Sequence, residues 1–119
     1  MRFEVHGMNV GLTPSLLSHI ENRLTISLDC FKDRIRGIVV RLGRDHFHDD
    51  HHEMTLKIQV DVERVGTIYL EQNESDLYAA ADMAGERLKR VVRRKINRRR
   101  AMHRHARQDQ SRKLAAVWG

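Results

Sequence analysis

From Met54 to Glu63 the chain alternates without a break. Met54, Leu56, Ile58, Val60 and Val62 are apolar; Thr55, Lys57, Gln59, Asp61 and Glu63 are polar. Period two predicts a strand with one face on a core and the other in water. Arg64-Val65-Gly66 supplies a tight connection. Thr67 to Glu71 then reads as a hairpin partner, with Ile68 and Leu70 inward and Tyr69 outward. Upstream, Ile38, Val39, Val40 and Leu42 form a short apolar run after Gly37, which predicts a strand buried on both sides. At the start, Phe3 and Val5 alternate with Arg2, Glu4 and His6, and Gly7 and Gly11 punctuate the end of that short strand.

Two segments carry the helical period instead. Thr13-Pro14-Ser15 is a helix start, with Thr13 as N-cap and Pro14 in the first helical position. Leu17, Ile20, Leu24, Leu28 and Phe31 follow at steps of three or four, one face of an amphipathic helix. Its outer face carries Ser18, His19, Asn22 and Arg23. The last helix starts at Ser75 or Asp76, and its stripe runs through Leu77, Ala81, Ala84, Leu88 and Val91, widened by Val92 and Ile96. Gly85 interrupts this stripe and allows a close approach to the sheet. The helix is expected to reach about Arg100.

The element order is therefore β-α-β-β-β-α. This is an α+β fold in which two helices pack their stripes on one face of a four-stranded sheet. The first crossover favours parallel pairing of strands one and two. The remaining strands pair antiparallel through short connections.

Charge divides the same chain differently. Residues 1–86 carry nine Lys/Arg against fifteen Asp/Glu, a net of −6; residues 87–119 carry thirteen against one, a net of +12. Such a split points to a polyanion as partner, most often nucleic acid. The length of 119 residues suits one domain with a short tail, here residues 1–100 and a flexible basic segment 101–119. No run approaches the ~20 apolar residues of a membrane span, and Met-Arg-Phe-Glu-Val-His has no apolar signal-peptide centre. One cysteine, Cys30, excludes an internal disulfide framework and fits a cytoplasmic protein. No phosphate-cradling glycine motif and no convergent catalytic set is present. An enzyme, a cofactor and a small-molecule substrate are not expected.

On a helical wheel the basic residues fall into rows. Arg87, Arg90, Arg94 and Arg98 lie on one flank of the apolar stripe; Lys89, Arg93 and Arg100 lie on the other. A solvated helix face normally mixes signs, because acid–base pairs four residues apart stabilise it. No acid appears between Glu86 and Asp109. Arginine's planar fork suits phosphate oxygens. Aromatics are nearly absent here, which argues against base stacking on this helix and for salt-sensitive recognition of backbone and shape.

Two motifs, in this order and spacing, resemble the short ribosome hibernation-promoting factors and ribosome-associated inhibitors, also called sigma-factor modulation proteins. One is Gly7-Met8-Asn9-Val10-Gly11-Leu12-Thr13-Pro14-Ser15-Leu16. The other is Glu74-Ser75-Asp76-Leu77-Tyr78-Ala79-Ala80-Ala81-Asp82, followed by the basic run. The resemblance covers residues 1–98. It implies a fold similar to a double-stranded-RNA-binding domain. It also implies binding to the small ribosomal subunit and its ribosomal RNA, in the channel where messenger RNA and the A- and P-site transfer RNAs lie. A factor of this kind blocks translation under stress or in stationary phase. The RNA-binding residues it implies are Arg23, Arg87, Lys89, Arg90, Arg93 and Arg94, with Arg98 continuing the row. Tyr78 takes the family's tyrosine position as a packing residue. The second domain of long members has no counterpart here, so direct pairing of ribosomes is not expected. The first helix is also less basic than the family pattern.

Asp45 to Glu53 is rich in histidine and acid. His46, His48, His51 and His52 are candidate Zn²⁺ or Ni²⁺ ligands, but their spacing matches no structural zinc motif, and a solvated connection is favoured. Beyond residue 100, Leu114, Val117 and Trp118 are the apolar groups available to fold back or to dock. Two other function classes remain: a structured-RNA-binding module acting away from ribosomes, and a metal-responsive protein using the histidine loop.

Overall fold

The hydrophobic alternation between Met54 and Val62 becomes the third strand of a four-stranded sheet. A computed structural model describes residues 2–45 and 53–118. In order, the elements are β1 (Arg2–Met8), α1 (Pro14–Ser27), a 3-10 turn (Asp29–Phe31), β2 (Ile35–Asp45), β3 (Glu53–Val62), β4 (Gly66–Glu74) and α2 (Leu77–Trp118). The sheet order is β1-β2-β3-β4. Strand β1 runs parallel to β2, with Phe3 beside Ile38 and Val5 beside Val40; the other two pairs are antiparallel. The β3–β4 turn places both Arg64 (φ 66°) and Gly66 (φ 105°) in the left-handed region.

Both helices share one aliphatic core with the inward residues of the sheet. Ile20 and Leu24 from α1, and Ala81, Ala84 and Leu88 from α2, are fully buried with Ile38, Val40, Leu56 and Val60. The opposite face of the sheet is open. Strand β2 is therefore not buried on both sides, contrary to the run Ile38–Leu42 read in isolation. Ile35, Ile38, Val40 and Leu42 are buried, Val39 is half-buried, and Arg36 and Arg41 are exposed. A register shift between Ile35 and Gly37 resets the phase, so an odd-numbered inward residue gives way to even-numbered ones.

Thr13 caps α1, its Oγ1 accepting from the Leu16 amide at 3.2 Å. The buried face of α1 is Leu16, Ile20, Leu24 and Leu28, a strict four-residue step; Leu17 is only half-buried. Asp76 caps α2, its carboxylate accepting from the Tyr78 amide at 3.1 Å. In α2 the buried stripe continues from Ala84 and Leu88 to Val92 and Ile96, while Val91 is half-buried and Lys95 exposed. The steps of four turn the stripe toward the α1 side.

Helix α2 does not end near Arg100. It continues to Trp118, for 42 residues in all. At 1.5 Å per residue that is about 63 Å, most of the molecule's 70 Å long axis. No proline or glycine lies between Glu86 and Trp118, and arginine, lysine, glutamine, alanine and leucine are all good helix formers. The side chains of Leu114, Val117 and Trp118 lie outside the described residues.

Candidate nucleic-acid interface

The basic residues of α2 are held in register by the core beneath them. Leu88 and Val92 are fully buried, so the helix cannot rotate without exposing them. That fixes where each arginine points.

Arg87 is exposed but partnered within the protein. Its guanidinium donates to the Glu71 carbonyl at 2.8 Å and to Gln72 Oε1 at 2.6 Å. Gln72 is itself buried and donates to Glu74 Oε1 at 3.0 Å. Arg87 therefore ties α2 to the edge strand β4. Lys89 points the other way, half-buried against α1, where it lines a hollow with Arg23, Ser27 and Asp82.

Arg90, Arg93, Arg94 and Arg98 are exposed and converge around Asn97, lining a shallow concavity of about 650 Å³. The two rows drawn on the helical wheel thus meet across the outward face instead of staying on separate flanks. Among the described residues no carboxylate pairs with any of these four arginines. Arg93 also sits 6.0 Å above the Phe31 ring, a cation–π contact that restrains it from the 3-10 turn. Arg100 is exposed further along the helix.

Arg23, on α1, is bound within the protein. Its Nε donates to Asp82 Oδ1 at 2.6 Å, and His19 Nε2 hydrogen-bonds to the same oxygen at 2.8 Å. Arg23 is the main cause of a lowered Asp82 pKa, with His19 adding to it. The seam between the helices is completed by Tyr78, whose hydroxyl donates to Ser15 Oγ at 3.1 Å and whose ring lies 5.0 Å from His19. Ser27 Oγ donates to the Gly85 carbonyl. Gly85 thus faces α1 and not the sheet. A Cβ there would lie 3.5 Å from the Arg23 carbonyl, an ordinary contact.

Of the seven sequence-derived residues, the structure groups Arg90, Arg93, Arg94 and Arg98, gives Arg87 and Arg23 internal partners, and leaves Lys89 at the seam. Asp82 and His19 were not foreseen in this role. Their partner lies about sixty residues away, and no local pattern marks the pairing. His46, His48, His51 and His52 lie outside the described residues. Among the described residues no cluster of His, Cys, Asp or Glu is arranged to hold a metal ion.

The family model described as sigma 54 modulation protein / S30EA ribosomal protein matches residues 3–100. The ribosome hibernation promotion factor of Deinococcus radiodurans is 29% identical over 91 residues, covering 76% of this chain and 47% of that protein. The chain thus spans about half the length of that curated relative. Among solved structures, the Thermus thermophilus Protein Y N-terminal domain superposes with a TM-score of 0.66 at 29% identity, covering 79% of this chain and 98% of that one. A ribosomal subunit interface protein from Coxiella burnetii superposes with a TM-score of 0.68 at 19% identity, covering 79% and 96%. At that identity the likeness is one of fold. Residues 101–118, the outer part of α2, lie beyond the family match.

Proposed function

The chain belongs to the sigma 54 modulation protein / S30EA ribosomal protein family, and we propose that it is a ribosome-binding hibernation factor. It occupies the decoding channel of the small subunit and silences translation under stress or in stationary phase. The partner is ribosomal RNA, and the place of action is the cytoplasm. The mechanism is occupancy, with no covalent chemistry.

One observation carries this reading. Arg90, Arg93, Arg94 and Arg98 converge on the outward face of a helix whose inner face is locked in the core. Four guanidinium groups that have no carboxylate partner among the described residues repel one another, and a phosphate backbone relieves that repulsion while supplying bidentate acceptors. The concavity is shallow and open, which suits a strand of phosphates better than an enclosed small molecule. The name of the curated relative, a ribosome hibernation promotion factor, points the same way.

Chemical footprinting of ribosomal RNA tests the location. Protection of small-subunit nucleotides lining the messenger and transfer-RNA path is the expected result. Protection confined to the outer surface of either subunit would contradict channel occupancy.

A further inference from the structure

The open face of the sheet, on the other side of the molecule from α2, has its own chemistry. Two neighbouring rows of residues cross it. In the first, Tyr69 stands opposite Gln59, Gln59 opposite Val39, and Val39 beside Glu4. In the second, Glu71 stands opposite Lys57, Lys57 opposite Arg41, and Arg41 beside His6. Val39, Arg41, Lys57, Gln59, Tyr69 and Glu71 line a hollow of about 360 Å³.

Three features of this face call for a ligand. Tyr69 is 74% exposed, with its ring unburied on a strand whose other residues are either inward or polar. Arg41 and Lys57 are directly opposed cations on an antiparallel pair, an arrangement that destabilises a sheet unless an anion lies between them. Among the described residues neither forms a salt bridge: Glu4 is taken by Arg2 and His6, and Glu71, which faces Lys57 from β4, makes no ion pair with it, so Arg41 is left between Lys57 and His6. The rows are about 7 Å apart along the strands, within the reach of one nucleotide from its base to its phosphate.

We propose that this face is a second nucleic-acid site, which binds single-stranded RNA by stacking a base on Tyr69 and seating the adjoining phosphate between Arg41 and Lys57. Gln59, beside the ring, offers a donor and an acceptor to the base edge. The basic stretch of α2 from Arg87 to Arg100 has no aromatic residue and suits backbone recognition; the sheet supplies the stacking surface that stretch does not have. The site goes beyond the hibernation reading, and it would bind a strand whether or not the arginines of α2 engage the ribosome.

The test is titration of the full ¹⁵N-labelled chain with a single-stranded RNA octamer of mixed sequence. The expected result is a set of amide shifts at Val39, Arg41, Gln59 and Tyr69, separate from shifts along α2. Tyr69→Ala should weaken the sheet-face binding about tenfold, while Tyr69→Phe, which keeps the ring, stays within about twofold. Tyr69 is exposed, so the fold survives its truncation; circular dichroism checks this, and the Arg41→Gln/Lys57→Gln pair provides an independent loss of binding. Shifts confined to α2, or unchanged affinity in Tyr69→Ala, would overturn the proposal. Equal shifts with a polyglutamate peptide would also overturn it, by showing a site for any anion.

Discussion

Arg23 and Asp82 are 59 residues apart in the chain and 2.6 Å apart in the fold. The pair joins the two helices and, with His19, brings two polar side chains onto one carboxylate oxygen. It also gives Arg23 an internal partner, so the one α1 residue implied in RNA binding is already engaged within the protein.

Asp82→Asn should therefore loosen the seam. Both side chains are more than two-fifths exposed, so solvent screening holds the loss below about 1 kcal/mol. The pH dependence has a definite sign. Asp82 is lowered from its ordinary 3.8, chiefly by Arg23. Its contribution is fully present above that value and is lost as pH falls through the lower folded value. Denaturation midpoints of wild type and Asp82→Asn should differ at pH 7 and converge as the solution is acidified below 3.8. A gap that stays constant with pH would contradict this origin.

Arg87 and Arg90 should separate stability from binding. Arg87→Ala removes two hydrogen bonds to β4, one of them to the buried Gln72. A loss of about 1–2 kcal/mol in denaturant unfolding is expected. Arg90→Ala, at an exposed position, should stay within about 0.5 kcal/mol. Equal stabilities would show that the Arg87 contacts contribute nothing.

Gly85→Ala should be neutral or stabilising by up to about 1 kcal/mol, because alanine is the better helix former. The added Cβ meets the Arg23 carbonyl at 3.5 Å and Ser27 Cβ at 3.8 Å, both ordinary contacts. Thermal unfolding reads the sign. A clear fall in midpoint would mean that the helices must pack more closely than these distances.

Ile96 and Lys95 test the register of α2. Ile96 is buried and Lys95 exposed. Ile96→Ala should cost about 2 kcal/mol or more, and Lys95→Ala less than about 0.5. The reverse order would place the stripe one residue out.

Most of the fold was legible because its strands face water on one side. Met54 to Val62 displays its burial as strict alternation, and Tyr69 was read outward for the same reason. Strand β2 misled because its run Ile38-Val39-Val40 contains a half-buried valine that looks like core, and the bulge at Ile35/Gly37 hides the phase. The α1 stripe was one residue out at its first position, Leu16 for Leu17, since adjacent leucines fit either register. The end of α2 was set too early because apolar periodicity stops near Ile96, whereas the helix follows propensity to Trp118. In the candidate site, the row Arg90, Arg94, Arg98 could be read from spacing alone. The internal partners of Arg87 and Arg23 could not, because strand β4 and Asp82 reach them only through the tertiary fold.

The central claim is that the outward arginines of α2 hold the chain on the ribosome. Co-sedimentation with purified small subunits over a range of salt concentrations tests it most directly, comparing wild type with Arg90→Glu/Arg94→Glu/Arg98→Glu. Wild type should sediment with the subunit at low salt and be released as salt rises, in the manner of phosphate contacts. The triple variant, folded by circular dichroism, should remain in the supernatant at every salt concentration. Sedimentation of that variant at wild-type levels would contradict the claim.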